Sequence, residues 1–304
     1  MVPELPEVEA ARCGIAEQLT GRRVTGFELY RPRLLQALPG RGLELLRGTY
    51  LIEVGRWGKY LWLVFESLAT LVHLKLTGQL VARGSTVPGF AAGHPVPPFD
   101  APLPHKSTAL RLDFEPDVAL YLTDVRHFAR LWLLPVDELA NTLASLRLGP
   151  DLLSTEFTFE TFRQRLERRR SRRLKPVLLD QTVVAGIGNI YADESLWQAQ
   201  LHPEHVVGEL AEDELRRLYD GIQETMRLAV PLGGARIVHG KAVPPIGQFP
   251  FVHGRAGQPC PRCGAPVVKV QVDGRGTYLC QLCQPSPDAA LRRSRLAARA
   301  GRSE

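Results

Sequence analysis

Four cysteines near one end and an acid-rich stretch at the other hold the residue types from which chemistry could be built. Cys260, Cys263, Cys280 and Cys283 form two Cys-x2-Cys pairs with 16 residues between them. Paired knuckles at this spacing offer four thiolates to one Zn2+ in a tetrahedron. A closed shell leaves no position for a reacting water, so the ion expected here is structural. Two disulfides in a secreted module are the alternative, and they conflict with a beginning that lacks the cationic and apolar regions of a secretory signal. At the other end, Met1-Val2-Pro3-Glu4-Leu5-Pro6-Glu7-Val8-Glu9 sets an amine beside carboxylates, a pairing suited to nucleophilic attack with proton transfer.

A third group of residues is suited to an anion. In Gly186-Ile187-Gly188-Asn189-Ile190-Tyr191-Ala192-Asp193-Glu194 the glycines allow close backbone approach, and Asn189 can cap a helix whose N-terminus faces a phosphate. The spacing lacks the third glycine of a dinucleotide fingerprint. Shortly before it runs Arg168-Arg169-Arg170-Ser171-Arg172-Arg173-Leu174-Lys175, a cationic block that points to a polyanion, although a solvated helix face accounts for most of those arginines equally well. The net charge of +6 and a pI near 9.2, carried mostly by arginine, agree with a phosphate-rich partner.

The elements that must position these groups follow from the hydrophobic pattern. Pro6 stands where a first helical turn begins, and Val8, Ala11, Ile15 and Leu19 form one apolar stripe. Lone Cys13 on that helix reads as a small core residue. Strands are expected over 24–29, 50–54, 60–65, 70–76, 109–114, 118–123 and 130–134, several of them alternating. Such a run of strands without helices predicts a β-sandwich. The proline-bearing 84–106 stretch reads as a long surface loop. Beyond Pro135 the period turns helical, with Phe159, Phe162 and Leu166 on one face and Leu215, Leu218, Ile222 and Met226 on another. Between the cysteine pairs, alternating Val268, Val270 and Val272 lead through Asp273-Gly274-Arg275-Gly276 into Thr277-Tyr278-Leu279, a hairpin with Arg275 at or near its tip. No apolar run approaches the roughly 20 residues that span a bilayer. No membrane association and a cytoplasmic protein are expected.

These motifs, in this order, resemble the formamidopyrimidine-DNA glycosylase and endonuclease VIII family of helix-two-turn-helix glycosylases, and the likeness runs through Gln284. Pro3-Glu4-Leu5-Pro6-Glu7-Val8-Glu9 is similar to the family's catalytic N-terminus, Gly58-Lys59-Tyr60-Leu61 to its catalytic-lysine turn, and the stretch from Leu174-Lys175-Pro176 to Gly188-Asn189-Ile190-Tyr191 to its helix-two-turn-helix. The resemblance implies an α+β fold: an N-terminal β-sandwich with flanking helices (1–135), a helical helix-two-turn-helix domain (136–252) and a zinc-ribbon hairpin (253–285); beyond it, the Ala/Arg-rich 286–304 stretch has no strong apolar stripe and reads as a basic flexible tail. It implies base excision repair on double-stranded damaged DNA by a monomeric glycosylase with abasic-site lyase activity, oxidised bases being the expected targets. Pro3 would supply the Schiff-base amine, Glu4 the proton at the sugar, and Lys59 a phosphate contact that assists. Lys175, Asn189 and Arg275 would grip the backbone. Leu76, Arg126 and Phe128 would fill the space that a flipped nucleotide leaves.

This chain departs from the family pattern in three places. Val2 stands between Met1 and Pro3, where the family has proline directly after methionine. Catalysis by Pro3 then requires a start at the Val2 codon. The Val2 amine is the alternative nucleophile, and a blocked Pro3 would leave a non-catalytic binder of lesions or abasic sites. Lys75 occupies a place where the family often has glycine. The 233–251 stretch replaces the family's lesion-capping loop in a shortened, altered form. A zinc-ribbon regulator reading DNA by sequence is a further alternative, and no dimeric recognition helix supports it.

Overall fold

A computed structural model describes residues 2–37 and 42–287. It divides into two compact units: the first runs to Leu148 and includes Val230–Gly234, and the second takes Gly149–Ala229 and the described chain from Ala235 onward.

The first unit opens with α1 (Leu5–Leu19), which starts where the sequence dictates. Proline is tolerated in the first turn because its missing N–H is unpaired there in any helix. Glu4 and Glu7 form a reciprocal capping box, with the Glu4 backbone N–H donating to the Glu7 carboxylate at 2.9 Å. Val8, Ala11, Ile15 and Leu19 are all buried. Cys13 is exposed, contrary to the core position expected for it. It lies two residues, about 200°, from both Ala11 and Ile15, so it faces away from the stripe they form.

The strands are β1 (Val24–Leu29), β2 (Leu35–Ala37), β3 (Leu51–Trp57), β4 (Tyr60–Phe65), β5 (Leu68–His73), β6 (Gly78–Gly84), β7 (Phe90–Gly93), β8 (Thr108–Phe114), β9 (Val118–Asp124) and β10 (Arg130–Pro135). One sheet has the order β1-β8-β9-β6-β7, the other β2-β10-β5-β4-β3. All pairings are antiparallel except β10 with β2. Leu61, Leu63 and Phe65 of β4 and Val72 of β5 share a single core with Leu80, Leu110, Leu112 and Leu120 of the other sheet and with the α1 stripe. Each large aliphatic side chain so buried contributes roughly 1.5–3 kcal/mol. The outer face of the second sheet is covered as well. Ala69, Leu71 and Trp132 pack there with Leu139 and Leu143 of α2 (Leu139–Ser145), which is why β5 reads as a continuous apolar run.

Two strand expectations need correction. The 70–76 strand ends at His73, because the chain crosses there from one sheet to the other and Lys75 turns at φ 53°; Leu76 therefore lies in a loop. The long loop expected over 84–106 is interrupted by β7, an edge strand of four residues. Also unforeseen was β6, whose opening Gly78-Gln79 hides the pattern; Gln79 is buried and hydrogen-bonded to Thr123.

The second unit contains α3 (Phe159–Glu167), α4 (Leu174–Leu179), α5 (Asn189–Ala199) and α6 (Glu212–Ala229). Phe162 and Leu166 of α3 and Leu218, Ile222 and Met226 of α6 are buried, as the 3.6-residue period predicts. A short hairpin, β11 (Ile237–Val238) with β12 (Lys241–Ala242), follows. The hairpin between the cysteine pairs is β13 (Val268–Val272) with β14 (Arg275–Leu279). Its two-residue turn, Asp273-Gly274, has φ of 45° and 74°, the left-handed pair that favours Asp-Gly. Of the expected basic tail, 288–304 lies outside the described residues.

Candidate active site

In the first unit, a relay of contacts joins the start of α1 to the loops at the sheet crossings. Pro3 is buried immediately ahead of the capping box, and Glu4 and Glu7 are each 1% exposed. Gly234 presses against the Glu7 carboxylate. A Cβ on it would stand 2.2 Å from Glu7 Oε1, and its φ is 107°, so only glycine fits. One turn further along α1, Glu9 accepts hydrogen bonds from Arg12 Nε and from Arg56 Nε, at 2.9 and 2.7 Å. Burial works to raise the Glu9 pKa, but the bonds and charges of the two arginines outweigh it and hold the carboxyl below its usual range. Arg56 also donates from Nη1 to the Gly58 carbonyl at 3.0 Å.

Gly58-Lys59 is the two-residue turn between β3 and β4, closed by the Trp57–Tyr60 pair, with Gly58 at φ 59°. Lys59, half-buried in that turn, is thus referred back to α1 through Arg56 and Glu9. Tyr60 pairs across the sheet with His73, their rings edge to face at 4.6 Å. Burial, then the positive charges of Lys75 and Lys59, pull the His73 imidazole pKa down to about 3. It is therefore neutral at physiological pH. Its Nδ1 accepts the Lys75 backbone N–H at 2.9 Å. The sequence pattern places His73 inside the expected 70–76 strand, and nothing local marks it as a site residue.

Leu76 and Phe128 lie on two different sheet-crossing loops, β5 to β6 and β9 to β10, yet they line one open cleft with Lys75, Arg130, Trp132 and Gln36. The knot between the loops is buried Asp124. Its carboxylate accepts the Thr77 hydroxyl of the first loop, the Arg126 N–H at 3.1 Å and the Ala129 N–H at 2.7 Å. Arg126 and Phe128 are both exposed, with the guanidinium 5.5 Å from the ring centroid.

In the second unit, the phosphate-binding candidates converge on the β13–β14 hairpin. Arg275 is exposed, directly after the turn. Asn189 was expected to cap α5, but Gly188 holds the cap position and Asn189 Nδ2 instead donates to the Gly276 carbonyl at 2.9 Å. Lys175, assigned by resemblance to the phosphates, is fully buried. Its ammonium donates to Asp193 Oδ1 at 2.6 Å, Thr277 Oγ1 at 2.8 Å and the Gly276 carbonyl at 3.2 Å. Three donors are satisfied inside the protein, so Lys175 acts on any grip from beneath, through the hairpin it holds. Arg173 pairs with Asp273 at the hairpin turn at 3.1 Å. Two acids that sequence reasoning passed over organise this region. Asp193 also accepts from His253 Nδ1 and the Tyr278 N–H, while Glu194, its pKa raised by burial, accepts the N–H groups of Phe251, Val252 and His253.

The Sγ atoms of Cys260, Cys263, Cys280 and Cys283 lie within 4.8 Å of one another. A tetrahedral Zn2+ with bonds of about 2.3 Å sets its sulfurs roughly 3.8 Å apart. Cys260 to Cys283 is 3.9 Å and Cys263 to Cys280 is 3.4 Å. One structural zinc fits. Among the described residues, no helix is long and apolar enough to cross a membrane.

Three family models together span most of the chain. The Formamidopyrimidine-DNA glycosylase N-terminal domain matches residues 2–131, the Formamidopyrimidine-DNA glycosylase H2TH domain residues 148–239, and the zinc finger found in FPG and IleRS residues 257–285. The chain is 38% identical to a formamidopyrimidine-DNA glycosylase of Heliobacterium modesticaldum over 93% of its own length and 100% of the relative's. It is 36% identical to one of Pelotomaculum thermopropionicum, over 93% and 99%. Among solved structures it resembles Lactococcus lactis Fpg in complex with DNA containing Fapy-dG (TM-score 0.80, 32% identity). The complex of that enzyme with DNA containing an abasic site is also similar (TM-score 0.79, 32% identity). Each likeness covers 93% of this chain and all of the other. The chain belongs to the formamidopyrimidine-DNA glycosylase family.

Proposed function

We propose that this protein excises oxidised bases from duplex DNA and cleaves the strand at the abasic site it makes, with the Pro3 nitrogen as nucleophile. Family membership supports the reaction class. The observation that carries the assignment of residues is the buried Pro3-Glu4-Glu7 cap, tied through Glu9 and Arg56 to the Lys59 turn. A terminal amine has a pKa of about 7.7–8.0, so a useful fraction is neutral near physiological pH. In this reading it attacks the anomeric carbon of the damaged nucleotide. The electrons of the glycosidic bond leave with the base, which takes up a proton. The attached nitrogen gives up its own proton, Glu4 protonates the ring oxygen as the sugar opens to the iminium ion, and loss of a proton from the adjacent carbon then expels the phosphate.

Lys59 holds the phosphate beside the lesion, and Leu76, Arg126 and Phe128 occupy the gap that base flipping opens. Asn189 and Arg275 contact the backbone, with Lys175 fixing the hairpin that carries Arg275. The protein works as a cytoplasmic monomer on damaged duplex DNA, with its catalytic residues in the 1–135 domain and its backbone grip in the 136–252 and 253–285 domains. Since an amide nitrogen shares its lone pair with the carbonyl, the reading requires Pro3 to be the first residue of the active protein. An end-labelled duplex bearing one oxidised guanine tests it. Strand scission at that guanine is expected, and an intact strand together with an unreleased base would overturn it.

A further inference from the structure

The C-terminal end of α5 meets the zinc site in a way that four cysteine ligands do not require. Trp197, 5% exposed, directs its indole N–H at Cys260 Sγ, 3.4 Å away. Arg262, which lies inside the Cys260-x2-Cys263 knuckle, places its guanidinium 4.1 Å from the centre of the same ring and donates from Nη1 to the Trp197 carbonyl at 2.8 Å. Phe251 stacks on the indole at 4.9 Å. The knuckle therefore holds Trp197 by ring, by carbonyl and by ring nitrogen.

We propose that Trp197 is an outer-sphere ligand of the zinc centre, its indole N–H bonded to the Cys260 thiolate, and that this bond fastens α5 to the metal. Four thiolates around Zn2+ leave two negative charges in excess, and hydrogen bonds donated to sulfur spread that charge and slow loss of the ion. An indole N–H donates and never accepts, so it matches a thiolate. The cation above the ring draws electron density toward itself and sharpens the donor.

The position of Trp197 gives the bond a longer reach. Eight residues earlier, about 12 Å along the helix, Asn189 bonds the Gly276 carbonyl, and Asp193 accepts the Tyr278 N–H between them. Both ends of α5 are thus fastened to the zinc module, one at the hairpin that presents Arg275 and the other at the metal. Loading of zinc then sets the register between the helix start and the hairpin.

Trp197→Phe keeps an aromatic ring for Arg262 and Phe251 and deletes the N–H together with part of the ring volume, a packing loss for which Phe251→Leu is the control. Zinc release from the full-length protein to excess pyridylazoresorcinol, followed by absorbance, should be about 10- to 100-fold faster than in the parent. Phe251→Leu disturbs the packing and leaves the N–H in place, and it should stay within about threefold of the parent. Release from Trp197→Phe at the parental rate, or equal acceleration in both variants, would overturn the proposal. A direct measurement covers the case in which Trp197→Phe does not fold. With zinc replaced by the magnetic isotope of cadmium in the parent protein, the Trp197 indole proton should show scalar coupling to the metal through Cys260 Sγ, and absence of coupling at that assigned proton contradicts the bond.

Discussion

Arg56 joins Glu9 to Gly58: its Nε lies 2.7 Å from the Glu9 carboxylate and its Nη1 3.0 Å from the Gly58 carbonyl. With only 4% of its side chain exposed, it fixes the Lys59 turn relative to the helix that begins at the proposed nucleophile. Arg56→Met should slow base excision about 10- to 100-fold, the cost expected for a misplaced catalytic group. DNA affinity should change little. Single-turnover excision and fluorescence anisotropy separate the two quantities, and a parental excision rate would show that Lys59 needs no such brace.

Gly234 is a second point where the helix start can be disturbed without touching it. Gly234→Ala brings a methyl to 2.2 Å from Glu7 Oε1 at a φ of 107°. The strained backbone and the displaced cap together should cost about 1–3 kcal/mol, seen as a lower Tm, and covalent trapping on abasic DNA should slow. Unchanged Tm and trapping would mean that Glu7 swings aside freely.

Asp124 binds the loop of Leu76 to the loop of Arg126 and Phe128 through Thr77, Arg126 N–H and Ala129 N–H. Asp124→Ala leaves buried donors unpaired, at about 1–3 kcal/mol for each group. The two loops should then part. Binding to undamaged duplex is expected to persist while preference for a lesion or abasic site is lost, which competition binding reads directly.

Acid should destabilise the fold through its histidines. Burial, with Lys75 and Lys59, lowers His73 from 6.5 to about 3, and burial lowers His94, His202 and His205. Folded-state values below the unfolded ones mean that the unfolded chain takes up more protons. Stability present above about pH 6.5 is therefore lost as pH falls toward the folded-state values. For His73 alone the loss at pH 5 is on the order of 2 kcal/mol. His73→Gln should flatten the fall in Tm between pH 7 and pH 5, and an unaltered slope would place the acid sensitivity elsewhere.

Zinc removal should weaken DNA binding by about tenfold or more and leave the sandwich folded, because the groups the metal organises, the hairpin and the α5 helix fastened to it, all lie in the second unit. In a Trp197→Phe background, tryptophan emission reports on the sandwich through Trp57, Trp62 and Trp132. Collapse of the whole protein on chelation would contradict the division into two units.

The sequence made legible those features whose cause is local. The α1 stripe, the alternation of β4, the cysteine pairs and the Asp273-Gly274 turn each follow from periodicity or from one residue's backbone preference, and all are present. What escaped depends on partners distant in the chain. Glu9 and Arg56 are 47 residues apart, as are Thr77 and Asp124, while Trp197 and Cys260 are separated by 63. Nothing near Lys175 indicates that it is buried, because Asp193, which neutralises it, and Thr277, which completes its shell, arrive from later elements. Likewise the local pattern makes Leu76 the end of a strand, and only the crossing between sheets puts it in a loop.

In the proposed reaction the nitrogen of Pro3 forms the covalent bond to the sugar. Borohydride reduction of the protein with abasic duplex, followed by proteolysis and mass mapping of the adduct, tests it most directly. The prediction is a stable protein–DNA adduct on a peptide that begins with Pro3 and is modified at its terminal amine. An adduct on Val2 or Lys59, or a chain that binds abasic DNA tightly and forms no adduct, would contradict it.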